Sequence, residues 1–280
     1  MELDIVKGFQ NLRNPLFDGL FYGVTQLGDQ IFFILIAVIV YWTIHKKYAF
    51  YFVFIFMISA ILNAGLKLVF QRPRPYTLPG VISLERWTTA GYSFPSGHAQ
   101  AAGVLGYFSL DGAKTFKIKA LKWIGIFILI MVPLSRIYLG QHYLSDVIVG
   151  SLLAFGVATL LHPLLKKVKD QEHKLALLMV PLMLGLFIWS PTHDLAVACG
   201  AFIGFAVGYA MEKRWVGYQV KTRLSTQIFK IIFGLIVLFA LKEGLKVIFI
   251  DHVWFDFLRY LMIGLWAALG APWVFKHAFK

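Results

Sequence analysis

Tyr48-Ala-Phe-Tyr-Phe-Val-Phe-Ile-Phe-Met-Ile-Ser-Ala-Ile-Leu-Asn-Ala-Gly-Leu-Lys-Leu-Val-Phe70 carries no charged side chain before Lys67. A helix of about 20 such residues spans the ~30 Å hydrocarbon layer of a bilayer. The run lacks the alternation of a membrane β-strand, so it reads as a transmembrane helix. Comparable runs repeat along most of the chain, at about 28–44, 97–111, 121–137, 143–165, 174–189, 194–211, 226–247 and 254–275. With 48–70 they predict an all-α, polytopic bundle of about nine spans. The run at 97–111 is short and rich in Ala and Gly, which suits a helix packed on other helices rather than on lipid.

Composition agrees. Of 280 residues, 59% are hydrophobic and 15% charged, with 26 Phe. Soluble domains hold about 45–50% apolar and about 25% charged residues, so a disordered chain, a coiled coil and an ordinary soluble enzyme are excluded. The net charge is +13, but the cations cluster between apolar runs and no nucleic-acid-binding motif accompanies them, so no nucleic-acid partner is expected. The single cysteine, Cys199, lies inside an apolar run and reads as core packing. Residues 1–15 mix acid, base and amide, without the pattern of a cleavable signal peptide.

The basic residues set the expected orientation. Lys46 and Lys47, the group Lys114 to Lys122, the group Lys166 to Lys174, the group Lys213 to Arg223, and Lys276 with Lys280 fall in alternate loops. The positive-inside rule makes these cytoplasmic, with the C-terminus inside and the N-terminus outside. Three regions are expected: an amphipathic segment at 1–27, a catalytic transmembrane core at 28–165 and a transmembrane extension at 166–280. Opposite loops are poor in cations except at Lys67, Arg72, Arg74, Arg86 and Arg136. Those run against the topological rule and call for another explanation.

Three segments at that face carry chemistry. Lys67-Leu-Val-Phe-Gln-Arg-Pro-Arg-Pro75 ends an apolar helix in cations, and its prolines hold the chain extended. Arg offers a planar fork to phosphate oxygens and Lys a compact charge. Ser93-Phe-Pro-Ser-Gly-His98 precedes a helix whose first N–H groups can receive an anion. There Ser96 is a hydrogen-bonding group, Gly97 permits close backbone approach, and His98 can exchange a proton near neutral pH. In Ser135-Arg136-Ile-Tyr-Leu-Gly-Gln-His142-Tyr-Leu-Ser-Asp146, His142 and Asp146 share a face if helical. A carboxylate on one ring nitrogen fixes the tautomer and leaves the other as nucleophile. A buried structural pair, or a His/Asp metal site, is the rival reading of that segment; no further His or carboxylate cluster lies nearby to complete a metal cage. Cations, two histidines and one orienting carboxylate together fit phosphoryl transfer by positioning and charge neutralisation.

Lys67-x6-Arg74-Pro75, Pro95-Ser-Gly-His98 and Ser135-Arg136-x5-His142-x3-Asp146 resemble, in residue type, order and spacing, the three signature motifs of the type 2 phosphatidic acid phosphatase superfamily. The resemblance implies a metal-free membrane phosphatase with no cofactor. It implies His142 as the nucleophile that forms a phosphohistidine, Asp146 as its orienting group and His98 as the proton donor and later the activator of water. It implies Lys67, Arg74 and Arg136 as phosphate-neutralising cations, with Ser96 and Gly97 supplying hydrogen bonds. Arg72 falls outside the pattern and is assigned only to the surrounding field.

Many bacterial members have about six spans; the larger number here is similar to the glucose-6-phosphatase and sphingosine-phosphate phosphatase branches. His193, Asp194, Asp251 and His252 of the extension have two readings, as groups rimming the site or as solvated loop groups, and the second is preferred. Tyr76, Leu78, Leu84, Trp87 and Tyr92 suit the membrane interface. The expected partners are therefore the bilayer and a lipid phosphate or isoprenoid diphosphate, handled at the extracytoplasmic face of the cell membrane. A lipid phosphotransferase with the same histidine, a soluble sugar-phosphate phosphatase and a non-enzymatic anion or lipid transporter are the alternatives.

Overall fold

The structure, a computed structural model, describes residues 1–84, 91–248 and 252–278. Arg86, Trp87, Asp251 and Lys280, named above, lie outside the described residues. The described chain is helical throughout and contains no strand: α1 (Glu2–Gln10), α2 (Pro15–Thr25), α3 (Gln30–Ile39), α4 (Lys46–Phe70), α5 (Gly97–Thr115), α6 (Lys119–Tyr138), α7 (Leu144–Lys167), α8 (Glu172–Trp189), α9 (His193–Met211), α10 (Leu224–Ile248), α11 (Val253–Leu265) and α12 (Ala271–Ala278).

Among the described residues, seven helices are long and apolar enough to cross a membrane, or eight if the pair Pro15–Gly28 and Gln30–Ile44, inclined by 52°, makes one span. The expected span at 97–111 forms α5 but falls outside that set. Its composition explains why: Ala99, Ala101, Ala102, Gly103 and Gly106 are all buried. A Cβ on Gly103 would lie 2.6 Å from the Ser151 carbonyl oxygen of α7, and α5 also packs closely on α6. Small residues here let backbones approach, as between membrane helices, so α5 needs little lipid-facing bulk. By contrast α10 sets Ile232, Ile236 and Val247 on its exterior.

The chain divides into two compact units. One comprises Met1–Leu35 with Ile58–His162, the other Ile36–Met57 with Pro163–Lys280. Side-chain contacts explain why Ile36–Met57 groups with the C-terminal residues. Trp42 donates its indole N–H to the Ala267 carbonyl (2.8 Å), Lys46 pairs with buried Glu212 (2.8 Å), and Phe50 lies 4.5 Å from Tyr209 between ring centroids.

Within the first unit, antiparallel alternation brings the end of α4, the start of α5, the end of α6 and the start of α7 to one side. The amphipathic N-terminal segment packs there too. Val6 of α1 is fully buried with Val81, Ala99, Ile137, Tyr143 and Val147, and Leu3, Ile5 and Phe9 pack against them. Gln10 exchanges two hydrogen bonds with the main chain of Ile82, donating at 2.6 Å and accepting at 3.0 Å.

Candidate active site

The three chemical segments meet within the first unit, joined by main-chain hydrogen bonds. Ser93 N–H donates to the Arg72 carbonyl (2.8 Å), linking the first segment to the second. Ser96 N–H donates to the Asp146 carbonyl (3.0 Å), linking the second to the third. The third folds on itself, because Gln141 and His142 both donate main-chain N–H groups to the Arg136 carbonyl (3.0 and 3.3 Å). That turn passes through Gly140 at φ +71°, where a Cβ would sit 2.7 Å from the Ile82 carbonyl oxygen. A left-handed, crowded position of this kind suits glycine alone.

Ser96 caps α5, its hydroxyl accepting from Ala99 N–H (3.3 Å), and Gly97 is the first helical residue; the Phe94–Pro95 bond is cis. His98 follows in the first turn. It lies within electrostatic reach of Arg136, His142, Arg74 and Lys67, and His142 feels Arg74, Arg136 and Lys67 in turn. The sequence-derived set is thus brought together: two imidazoles inside one field of three cations. Arg136 is fully buried at the end of α6 and donates to Thr25 Oγ1 of α2 (2.7 Å).

His142 is 2% exposed. The spacing predicted Asp146 as its direct partner, but the nearest acceptor of its Nδ1–H is the Ser93 carbonyl oxygen at 2.8 Å. Asp146 Oδ2 lies 3.6 Å from the same nitrogen, and the Ser93 hydroxyl donates to it across 2.5 Å. A main-chain carbonyl therefore fixes the tautomer, while Asp146 supplies negative charge one step away. The opposite nitrogen, Nε2, accepts from Arg74 Nη1 at 3.2 Å. Arg74 is held in place by donating Nε–H to the Gly91 carbonyl (3.0 Å) and Nη1–H to the Gln141 carbonyl (3.4 Å). Burial, then the charges of Arg74, Arg136 and Lys67, keep the imidazole well below its usual pKa, with the Ser93 bond opposing them. A neutral ring with Nε2 as its basic nitrogen, among cations, suits attack on an electrophile bearing anionic oxygens.

Asp146 is fully buried and receives three donors: Ser93 Oγ and Tyr143 N–H (2.9 Å) on Oδ2, and Arg72 Nη1 (2.8 Å) on Oδ1. Arg72 thus does more than contribute to the general field. Its Nη2 pairs with Glu2 Oε2 at 2.5 Å, and its guanidinium lies 3.8 Å from the centre of the Tyr143 ring. Glu2, Thr25 and the Ser93 carbonyl were not singled out by sequence reading. The first two are distant in the chain, and a main-chain oxygen has no residue signature.

Among the described residues no group of three His, Cys, Asp or Glu side chains is placed to hold a metal ion. In the second unit His193 pairs with Asp256 (3.1 Å), and both line a polar cavity of about 730 Å³ with His252, Lys242, Lys246 and Arg259; Asp194 lies in the first turn of α9.

Two family models match this chain. The PAP2 superfamily covers residues 48–170, and the PAP2 superfamily phosphatase transmembrane extension covers 196–279. The chain is 27% identical to sphingosine-1-phosphate phosphatase 1 of Mus musculus over 257 residues, 79% of this chain and 58% of that protein. It thus spans little more than half the length of that relative. It is 29% identical to phosphatidylglycerophosphatase B of Bacillus subtilis (strain 168) over 181 residues, 61% of this chain and 86% of the relative. Among solved structures, the transmembrane PAP2-type phosphatidylglycerolphosphate phosphatase from Bacillus subtilis superposes with a TM-score of 0.52 at 26% identity, covering 60% of this chain and 86% of that one. With its apolar helices, this multi-pass membrane chain carries a PAP2 superfamily domain and, beside it, a PAP2 superfamily phosphatase transmembrane extension.

Proposed function

We propose that this protein is an integral-membrane phosphatase that hydrolyses a lipid phosphate monoester or an isoprenoid diphosphate through a phosphohistidine on His142, without a metal. His142 Nε2 attacks phosphorus and the bond to the leaving oxygen breaks, with His98 delivering a proton to that oxygen. Water then attacks the phosphohistidine, His98 takes up its proton, the N–P bond breaks and inorganic phosphate leaves. Lys67, Arg74 and Arg136 balance the charge on the equatorial oxygens, and Ser96 with the first N–H groups of α5 adds hydrogen bonds.

The observation that carries this reading is the geometry of His142. Nδ1–H is taken by the Ser93 carbonyl, and Nε2 faces the guanidinium of Arg74. A purely structural histidine has no need of three converging cations beside a second imidazole. A lipid substrate is favoured because proteins similar to this chain include a sphingosine-1-phosphate phosphatase, a phosphatidylglycerophosphatase and an undecaprenyl-diphosphatase. The distribution of Lys and Arg among the loops supports a bundle of about nine spans, with its N-terminus outside, its C-terminus inside and the site at the extracytoplasmic face.

The test is phosphate release by purified protein in nanodiscs. The substrates are sphingosine phosphate, phosphatidic acid, phosphatidylglycerol phosphate, undecaprenyl diphosphate and glucose 6-phosphate, with EDTA present throughout. Turnover of at least one lipid well above the sugar phosphate, abolished in His142→Ala, is the expected result. Preference for the sugar phosphate would overturn the substrate class. Undiminished hydrolysis by the alanine variant would overturn the nucleophile.

A further inference from the structure

Glu2 sits at the far end of a charge relay that reaches the site. Its Oε2 takes Arg72 Nη2 at 2.5 Å, and its Oε1 accepts Ser145 N–H at 2.9 Å. Ser145 lies in the first turn of α7, whose N–H groups have no partners within the helix. Arg72 Nη1 in turn donates both to Ser145 Oγ (2.7 Å) and to Asp146 Oδ1 (2.8 Å). One carboxylate, carried by a helix remote in sequence, therefore grips both the first turn of α7 and the cation bonded to Asp146.

From this geometry we infer that Glu2 is a positioning residue for the phosphoryl transfer proposed above, acting through Arg72 on Asp146. Asp146 helps His142 only while its negative charge is available to the imidazole, which turns positive as phosphorus bonds to Nε2. An arginine paired with Asp146 alone would spend its charge there and damp that help. Glu2 draws part of the charge away and fixes the guanidinium plane over Tyr143. Docking of α1 through Leu3, Val6 and Phe9 holds Glu2 in register. Arg72 feels Glu2 and Asp146 together, and Glu2 is held below the usual carboxylate range: burial opposes this, and the bonds from Arg72 and Ser145 outweigh it.

The experiment compares Glu2→Gln and Glu2→Asp with the unchanged protein, purified with a C-terminal tag, using the best lipid substrate. In Glu2→Gln, kcat falls about 3- to 20-fold, the span expected of a partly buried charge at a helix N-terminus. KM stays within about twofold, and Glu2→Asp recovers part of the loss. In an Asp146→Asn background Glu2→Gln has little further effect on kcat, because the charge it works through is gone. A role confined to anchoring α1 predicts otherwise: a lower unfolding midpoint, with kcat per phosphorylatable site either unchanged or reduced by the same factor in both backgrounds. Either that pattern or a kcat within about 1.5-fold of the unchanged protein overturns the proposal. Failure of the unchanged protein to hydrolyse any lipid phosphate overturns the phosphatase reading itself.

Discussion

Replacing Asp146 with asparagine removes the carboxylate that lies 3.6 Å from the His142 ring, and its effect can be worked from distances. In the proposed mechanism the imidazole becomes a cation when Nε2 bonds to phosphorus, and Asp146 Oδ2 lies 3.6 Å from its Nδ1. Two unit charges at that separation interact by about 4–5 kcal/mol at an effective dielectric near 20. Arg72, 2.8 Å from the other carboxylate oxygen, offsets part of this, leaving about 2–3 kcal/mol of selective stabilisation for the charged ring. That corresponds to a loss of about 30- to 200-fold in kcat. Folding suffers separately. Asp146 accepts from Ser93, Tyr143 and Arg72, and an asparagine must turn its NH2 toward at least one of those donors. One buried bond to a charged group is then lost and one donor opposed, costing about 1.5–3 kcal/mol. The assay is steady-state phosphate release from a lipid substrate, beside a thermal unfolding curve for the same preparation. A variant that unfolds earlier yet retains more than a third of the original kcat would refute the electrostatic role. Asp146 would then be a structural group and the Ser93 carbonyl alone would orient the ring.

Ser93→Ala separates hydroxyl from carbonyl. It removes a bond to a buried carboxylate, costing about 1.5–3 kcal/mol of stability, while the carbonyl that holds His142 remains. The loss in kcat should stay below about tenfold, and a loss above 100-fold would mean that the hydroxyl is the true partner. In pH profiles, the lowered pKa of His142 places the acid limb of kcat/KM below the ordinary imidazole value of about 6.5. The same depression means that the unfolded chain binds this proton more readily. The associated stability is present above that ordinary value and lost as pH falls toward the folded-state value, so unfolding midpoints should drop on acidification. An acid limb above pH 7 would contradict the environment described for His142. Gly140→Ala imposes a left-handed backbone on alanine, about 1–2 kcal/mol, and drives its Cβ against the Ile82 carbonyl oxygen. An unchanged unfolding midpoint would show that this turn relaxes freely.

The fold was legible where hydropathy is decisive. The run at 48–70 became α4, and the strongly apolar stretches further on became helices of nearly the expected extent. It was less legible at α5, where close helix packing replaces bulky side chains by Ala and Gly. The grouping of Ile36–Met57 with the C-terminal residues was not legible, because Trp42 and Lys46 find Ala267 and Glu212 at 225 and 166 positions' distance. In the site, side-chain identities and spacings brought Lys67, Arg74, His98, Arg136 and His142 into one list, and they share one electrostatic field. The ring's immediate partner was not legible, since i to i+4 spacing points from His142 to Asp146 and says nothing of a carbonyl at Ser93. Glu2 was hidden for another reason: an acid in the first turn of a short amphipathic helix is ordinary until the fold sets it against Arg72 and the start of α7.

The hydrogen bond between Arg74 and Nε2 of His142 has a consequence for selectivity. In the mechanism proposed above, the lone pair that attacks phosphorus is the one this guanidinium engages, so a stray electrophile meets a muzzled base. A guest rich in anionic oxygen can lure the guanidinium toward itself, and only then is the nitrogen bared. In that mechanism recognition and arming are a single event, and a neutral ester of the same shape leaves the nitrogen covered.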